Sequence, residues 1–132
     1  MTQKNLISIA SKLEGFKIIF KEAHWNCFPK STAVHKILDD CYATVHSFED
    51  SFNEEGTVIF GSFGPGELTA DRTGISVTND AKELFKELLS FAYEIKQLVK
   101  DDIILCGLSA KVDTFVSDIY HQIYLLKFEY AE

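Results

Sequence analysis

The chain has 132 residues, with 13 Lys and Arg against 20 Asp and Glu, a formal net charge of −7, and 46% hydrophobic residues. That length suits one hydrophobic core and no second, and the apolar content excludes a disordered chain. No window reaches the roughly 18 consecutive apolar residues of a membrane span, so no membrane partner is expected. The acidic balance excludes nucleic-acid binding through an overall positive field. Cys27, Cys41 and Cys106 have unrelated spacings that close no disulfide framework and point to a reducing compartment. Met1 to Ser8 carry one Lys and no long apolar run, so no secretory signal is expected and the cytoplasm is the expected location.

Helical periodicity dominates in chain order. Leu6, Ile9, Leu13, Phe16, Phe20 and Ala23 fall on one stripe of an amphipathic helix that Pro29 must end. Ser31 or Thr32 can cap a second helix, whose stripe is Val34, Leu38, Cys41, Val45, Phe48 and Phe52 and which Gly56 is placed to end. Residues 56–77 hold Gly56, Gly61, Gly64, Gly66, Gly74 and Pro65 with a β-prone Thr57-Val58-Ile59-Phe60 patch, and read as a connector with a short strand or turn of its own. After Thr78 and Asn79, both acceptable caps, a third stripe runs Ala81, Leu84, Leu88, Phe91, Ile95 and Leu98. A fourth runs from Leu108 through Val112, Phe115, Ile119, Ile123 and Leu126 to Tyr130, with Gly107 breaking the chain before it. The spacing predicts four helices near 2–28, 32–55, 79–105 and 108–130, an all-α four-helix bundle. Its connector between helices 2 and 3 is long enough to cross from one end to the other. Crossovers of this kind occur in ferritin-like bundles.

The metal-capable side chains concentrate in the second helix and the turn before it. With His35 at zero and about 100° per residue, Asp39, His46, Asp50 and Glu54 all fall within about 100° of it, away from the apolar stripe. Imidazoles alternate with carboxylates there, and Tyr42 and Ala43 border or join them, which suits a metal site or a protein interface better than plain hydration. His35 and Asp50 are separated by about 22 Å along the axis, so one chain cannot close both around one ion. Two copies of the helix packed antiparallel about a two-fold axis would place His35 and Asp39 of one beside Asp50 and Glu54 of the other. Mixed nitrogen and carboxylate ligands suit iron, manganese or zinc. His46 reads as an interface histidine bonded to a neighbour. Asp118 and His121 read as a solvated pair, Cys27 as a packed thiol, and Gly61 to Gly66 as no phosphate loop, because no Gly-Lys-Ser/Thr follows.

The run Ala23-His24-Trp25-Asn26, then His35-x-x-x-Asp39, then Asp50-x-x-x-Glu54, resembles the first half of Dps proteins, the mini-ferritins of the ferritin-like superfamily. The likeness covers residues 16–55. It implies a single Dps/ferritin-like domain over residues 1–132 and a hollow dodecamer that stores ferric mineral. It also implies a ferroxidase centre that oxidises Fe(II) with peroxide or oxygen. By the same resemblance His24, His35 and Asp39 come from one subunit, and Asp50 and Glu54 from its two-fold neighbour. These five are the expected metal-binding and catalytic residues, with iron the metal and zinc or manganese as substitutes. Trp25 is expected beside the metal. The stretch from His24 to His35 is one residue shorter than the usual family spacing, and Pro29 stands near a customary glycine. No extended Lys-rich N-terminal tail is seen, so DNA binding is not expected. The competing expectation is a non-enzymatic ferritin-like helical protein, either a structural or partner-binding dimer or one that binds another divalent metal without turnover.

Overall fold

The computed structural model describes residues 1–130, so 131 and 132 of the expected single domain lie outside the described residues. It is all-helical. The helices are α1 (Gln3–Trp25), α2 (Thr32–Phe60), α3 (Ala81–Val99) and α4 (Cys106–Leu126), with 3-10 turns at Ile103–Leu105 and Lys127–Glu129. None of them is long and apolar enough to cross a membrane.

Each start has a local cause. Thr2 accepts from the Asn5 amide while the Asn5 side chain takes the Thr2 amide, a reciprocal cap. Ser31 Oγ accepts from the Val34 amide at 3.1 Å, as expected for the second helix. For the third, the cap is Asp80, which accepts from the Lys82 amide at 3.0 Å, and not Thr78 or Asn79. Thr78 instead holds the Asp80 amide at 3.1 Å.

Several boundaries differ from the periodicity reading. α1 ends at Trp25, with Asn26 closing it through its amide to the Glu22 and Ala23 carbonyls, so Pro29 stands well beyond the end. α2 continues through Gly56 to Phe60, and the Thr57-Val58-Ile59-Phe60 patch is its last turn rather than a strand. Gly56 is a close-approach residue, because a Cβ there would meet the Leu6 side chain at 2.6 Å. Gly107 lies in the first turn of α4 against Glu55; the break between α3 and α4 falls at residues 100–102.

The contacts define the topology. Leu6 faces Gly56, Lys17 meets Glu49 and His24 meets His35, so α1 and α2 run antiparallel. Phe48 stacks on Phe115 at 4.1 Å, and Gln122 bonds Thr44 at 2.7 Å, which sets α4 antiparallel to α2. Lys96 pairs with Asp113 at 2.7 Å and Tyr93 with Tyr120 at 2.7 Å, which sets α4 antiparallel to α3. Phe16 against Phe91 and Phe20 against Phe85 join α1 to α3. The buried residues of all four stripes form one core, which also takes in Ile75 from the connector. Because α2 and α3 both run antiparallel to α1, residues 61–80 must travel the length of the bundle.

That crossover lies along α1. Gln3 donates to the Ser62 carbonyl at 2.9 Å, the Asp71 amide donates to the Ser11 carbonyl at 2.9 Å, and Phe28 pairs with Asp80. Gly15 is where the two backbones meet, since a Cβ there would overlap the Asp71 carbonyl. Helix propensity alone would favour Ala over Gly by about 1 kcal/mol. Gly15→Ala is nevertheless expected to destabilise the protein, by about 1–3 kcal/mol of overpacking. A midpoint in urea unfolding at or above that of the original protein would contradict this close approach.

Candidate metal centre

The turn between α1 and α2 brings the two predicted histidines together. Their rings stack with centroids 3.8 Å apart and planes 20° from parallel. His24 Nδ1 lies 2.7 Å from the His35 carbonyl oxygen, and His35 Nδ1 lies 2.6 Å from the His24 carbonyl oxygen. A carbonyl only accepts, so each Nδ1 carries the proton and donates. In the neutral form of such a ring the lone pair lies on Nε2, the arrangement in which metal-binding histidines are usually held. The turn thus sets the two imidazole rings side by side. A recess of about 660 Å³ lined in part by Trp25, Cys27, Lys30 and His35 opens beside them. Trp25 is 64% exposed, so it is not a core residue of one chain.

Asp39, Asp50 and Glu54 all lie on exposed positions of α2. None makes an ion pair among the described residues. Asp39 is one turn from His35, whereas Asp50 and Glu54 are about 22 and 28 Å from it along a straight helix. No group of three or more His, Cys, Asp or Glu side chains that could hold a metal gathers among the described residues. Within one chain the two imidazoles thus lie together at the start of α2, and Asp50 and Glu54 lie apart from them. Asp118 and His121 are exposed on α4, and Cys27 and Cys41 are buried thiols. Burial pushes the Cys41 thiol well above its ordinary value, which removes it as a thiolate ligand.

Behind the ligand strip is a charged cluster absent from the sequence reading. Lys17 is 8% exposed and Glu49 9%. Lys17 Nζ donates to Glu49 Oε1 at 2.9 Å, pairs with Glu14, and lies 3.1 Å from His46 Nδ1. An ammonium only donates, so His46 Nδ1 accepts and the ring is neutral with its proton on Nε2. The expected interface histidine, His46, is here bonded by Lys17 of its own chain. Burial pushes the Glu49 carboxyl up to about 7, against the pull of the Lys17 ammonium, with Glu14 adding to the rise. Burial works against charged Lys17, yet its bonds to Glu14 and Glu49 leave its pKa above the ordinary lysine value. The signal existed in the sequence: Lys17 falls about 40° from Leu13 on the helical wheel, inside the buried stripe. A cation there requires a buried partner.

No protein-family model matches the chain. No curated protein and no solved structure matches it either.

Proposed function

We propose that the chain is a ferritin-like bundle of the Dps type, which binds ferrous iron between two-fold-related subunits and oxidises it. The observation that carries this reading is the His24–His35 pair, whose Nδ1 atoms are both tied to main-chain carbonyls. This leaves two Nε2 donors free on a protein whose matching carboxylates lie too far along α2 to join them. An antiparallel twin of α2 brings Asp50 and Glu54 of one chain to His24, His35 and Asp39 of the other, giving two equivalent sites per dimer. The crossover of residues 61–80 alongside α1 supports the ferritin-like topology.

Iron is the substrate here. Neutral imidazoles hold the ferrous ion, and the hard carboxylate oxygens favour the ferric product. Peroxide or oxygen is the electron acceptor that the resemblance implies. Exposed Val58, Ile103 and Ile104 at one end, and Phe28, Val77 and Phe128 at the other, support burial of further surface in a larger shell. Zinc and manganese fit the same donors.

Aerobic titration with ferrous iron, followed by ferric absorbance, tests the reading. Formation of ferric ion well above the rate in buffer is expected. A rate equal to buffer would contradict it and leave a helical protein that binds a divalent metal, or a partner, without turnover.

A further inference from the structure

The turn that carries the two histidines is held by hydrogen bonds more than by apolar packing. Of residues 26–31 Cys27 alone is buried, and Phe28 is 59% exposed. The middle of the turn is pinned to the start of α3. There the Phe28 amide donates to the Asn79 carbonyl at 3.0 Å, and the Ala81 amide donates to the Phe28 carbonyl at 3.2 Å. The turn ends at Ser31, whose Oγ caps α2 and whose carbonyl accepts from the His35 amide at 3.0 Å.

Two consecutive residues beyond α4 grip both anchors. Ser31 Oγ donates to Glu129 Oε1 at 2.9 Å, so the hydroxyl that caps α2 is itself held from outside the helix. Tyr130 Oη donates to Asp80 Oδ1 at 2.7 Å and accepts from the Lys82 amide at 2.7 Å, so the cap of α3 is held by the very next residue. Burial and the bond to Asp80 push the Tyr130 phenol above its ordinary value, and it stays a donor through the neutral range. His24 lies in the last turn of α1 and His35 in the first turn of α2, and each Nδ1 reaches the carbonyl of the other residue. Their stacking therefore depends on the offset between two helix ends, which the turn fixes.

We infer that Glu129 and Tyr130 form a clasp that positions the His24–His35 pair by locking the caps of α2 and α3 on either side of the turn. As positioning residues for iron ligands they rest on the reading proposed above; as determinants of the ring geometry they do not. They act through Ser31 and Asp80 and not on the imidazoles themselves. Fixing the orientation of a ligand ring in this way raises metal affinity without adding a donor.

Long-range proton–nitrogen NMR of the four histidines, near pH 8 where free imidazole is neutral, tests the clasp without metal. In the original protein His24 and His35 should carry the proton on Nδ1. His46 should carry it on Nε2, since its Nδ1 accepts from Lys17. In E129A/Y130F, His24 and His35 should shift to a mixture of both tautomers, while His46, held at mid-helix, keeps its pattern. The conservative variant E129Q retains an acceptor oxygen for Ser31 and should keep the original pattern at all of them. Affinity for redox-inert zinc(II) should fall by about tenfold in E129A/Y130F and stay unchanged in E129Q.

Unaltered His24 and His35 tautomers in E129A/Y130F would overturn the inference. So would loss of the His46 pattern along with theirs, because the loosening would then be general. Tautomers that shift with no loss of an existing zinc affinity would overturn the positioning role. An original protein that neither binds zinc nor oxidises ferrous iron, yet shows the tautomer change, would refute the metal reading and retain the clasp. Unaltered tautomers together with ferrous oxidation would do the reverse.

Discussion

Replacing Lys17 by Met should cost about 3–5 kcal/mol of folding stability, because it strands a buried carboxylate that has lost its cation. Lys17 and Glu49 are among the few charged residues buried in the bundle, and Lys17 also supports His46. Among the described residues the second oxygen of Glu49 has no hydrogen-bond partner, so no other donor there compensates it. Equilibrium unfolding in urea near pH 8 measures the loss, and the double variant K17M/E49L should recover most of it by exchanging the pair for apolar packing. A single variant as stable as the original would show that the pair contributes nothing. The sign of the pH effect follows from Glu49. Its carboxyl titrates at about 7 in the folded protein against an ordinary 4.5. Folding therefore takes up a proton in that window, and the group's destabilising effect grows as pH climbs from 4.5 to about 7. Glu49→Gln should flatten this part of the stability profile relative to the original protein.

On the proposed function, the double variant D50N/E54Q should lower ferrous oxidation to the rate in buffer while leaving the helices intact. Both side chains are exposed and make no ion pair among the described residues, so their loss should shift stability by no more than about 0.5 kcal/mol. Asn and Gln keep the shape of the side chains but remove the anionic oxygens that favour a ferric ion. A companion variant, D118N/H121Q, changes the other exposed acid–imidazole pair on α4 and should oxidise iron at the original rate. Unchanged kinetics in D50N/E54Q would contradict the assignment of the carboxylate half.

Much of this organisation was legible in the residues, and the exceptions have physical causes. The four apolar stripes are properties of helices taken one at a time, and residues such as Leu13, Val45, Leu88 and Val112 are all fully buried. Glycine misled at Gly56 and Gly107, because a residue without a Cβ signals either a chain end or a close approach, and only the neighbour decides which. Gly56 faces Leu6, some fifty residues away in sequence. His24 and His35 were singled out by type and spacing. Their mutual tethering through main-chain carbonyls depends on the backbone path of the turn, which spacing does not contain.

Sequence alone determined that this is a helical chain, where most of its core lies, and that its ligand-type side chains share one strip of the second helix, since periodicity is read along a single axis. Tertiary structure decided that the crossover lies against Gly15 of α1, that Lys17 is buried between Glu14, Glu49 and His46, and that the two imidazoles stack with each Nδ1 tied to a main-chain carbonyl. Those facts depend on which segments meet across tens of residues. Such meetings are set by packing of the whole bundle, because no local pattern carries the identity of the distant partner.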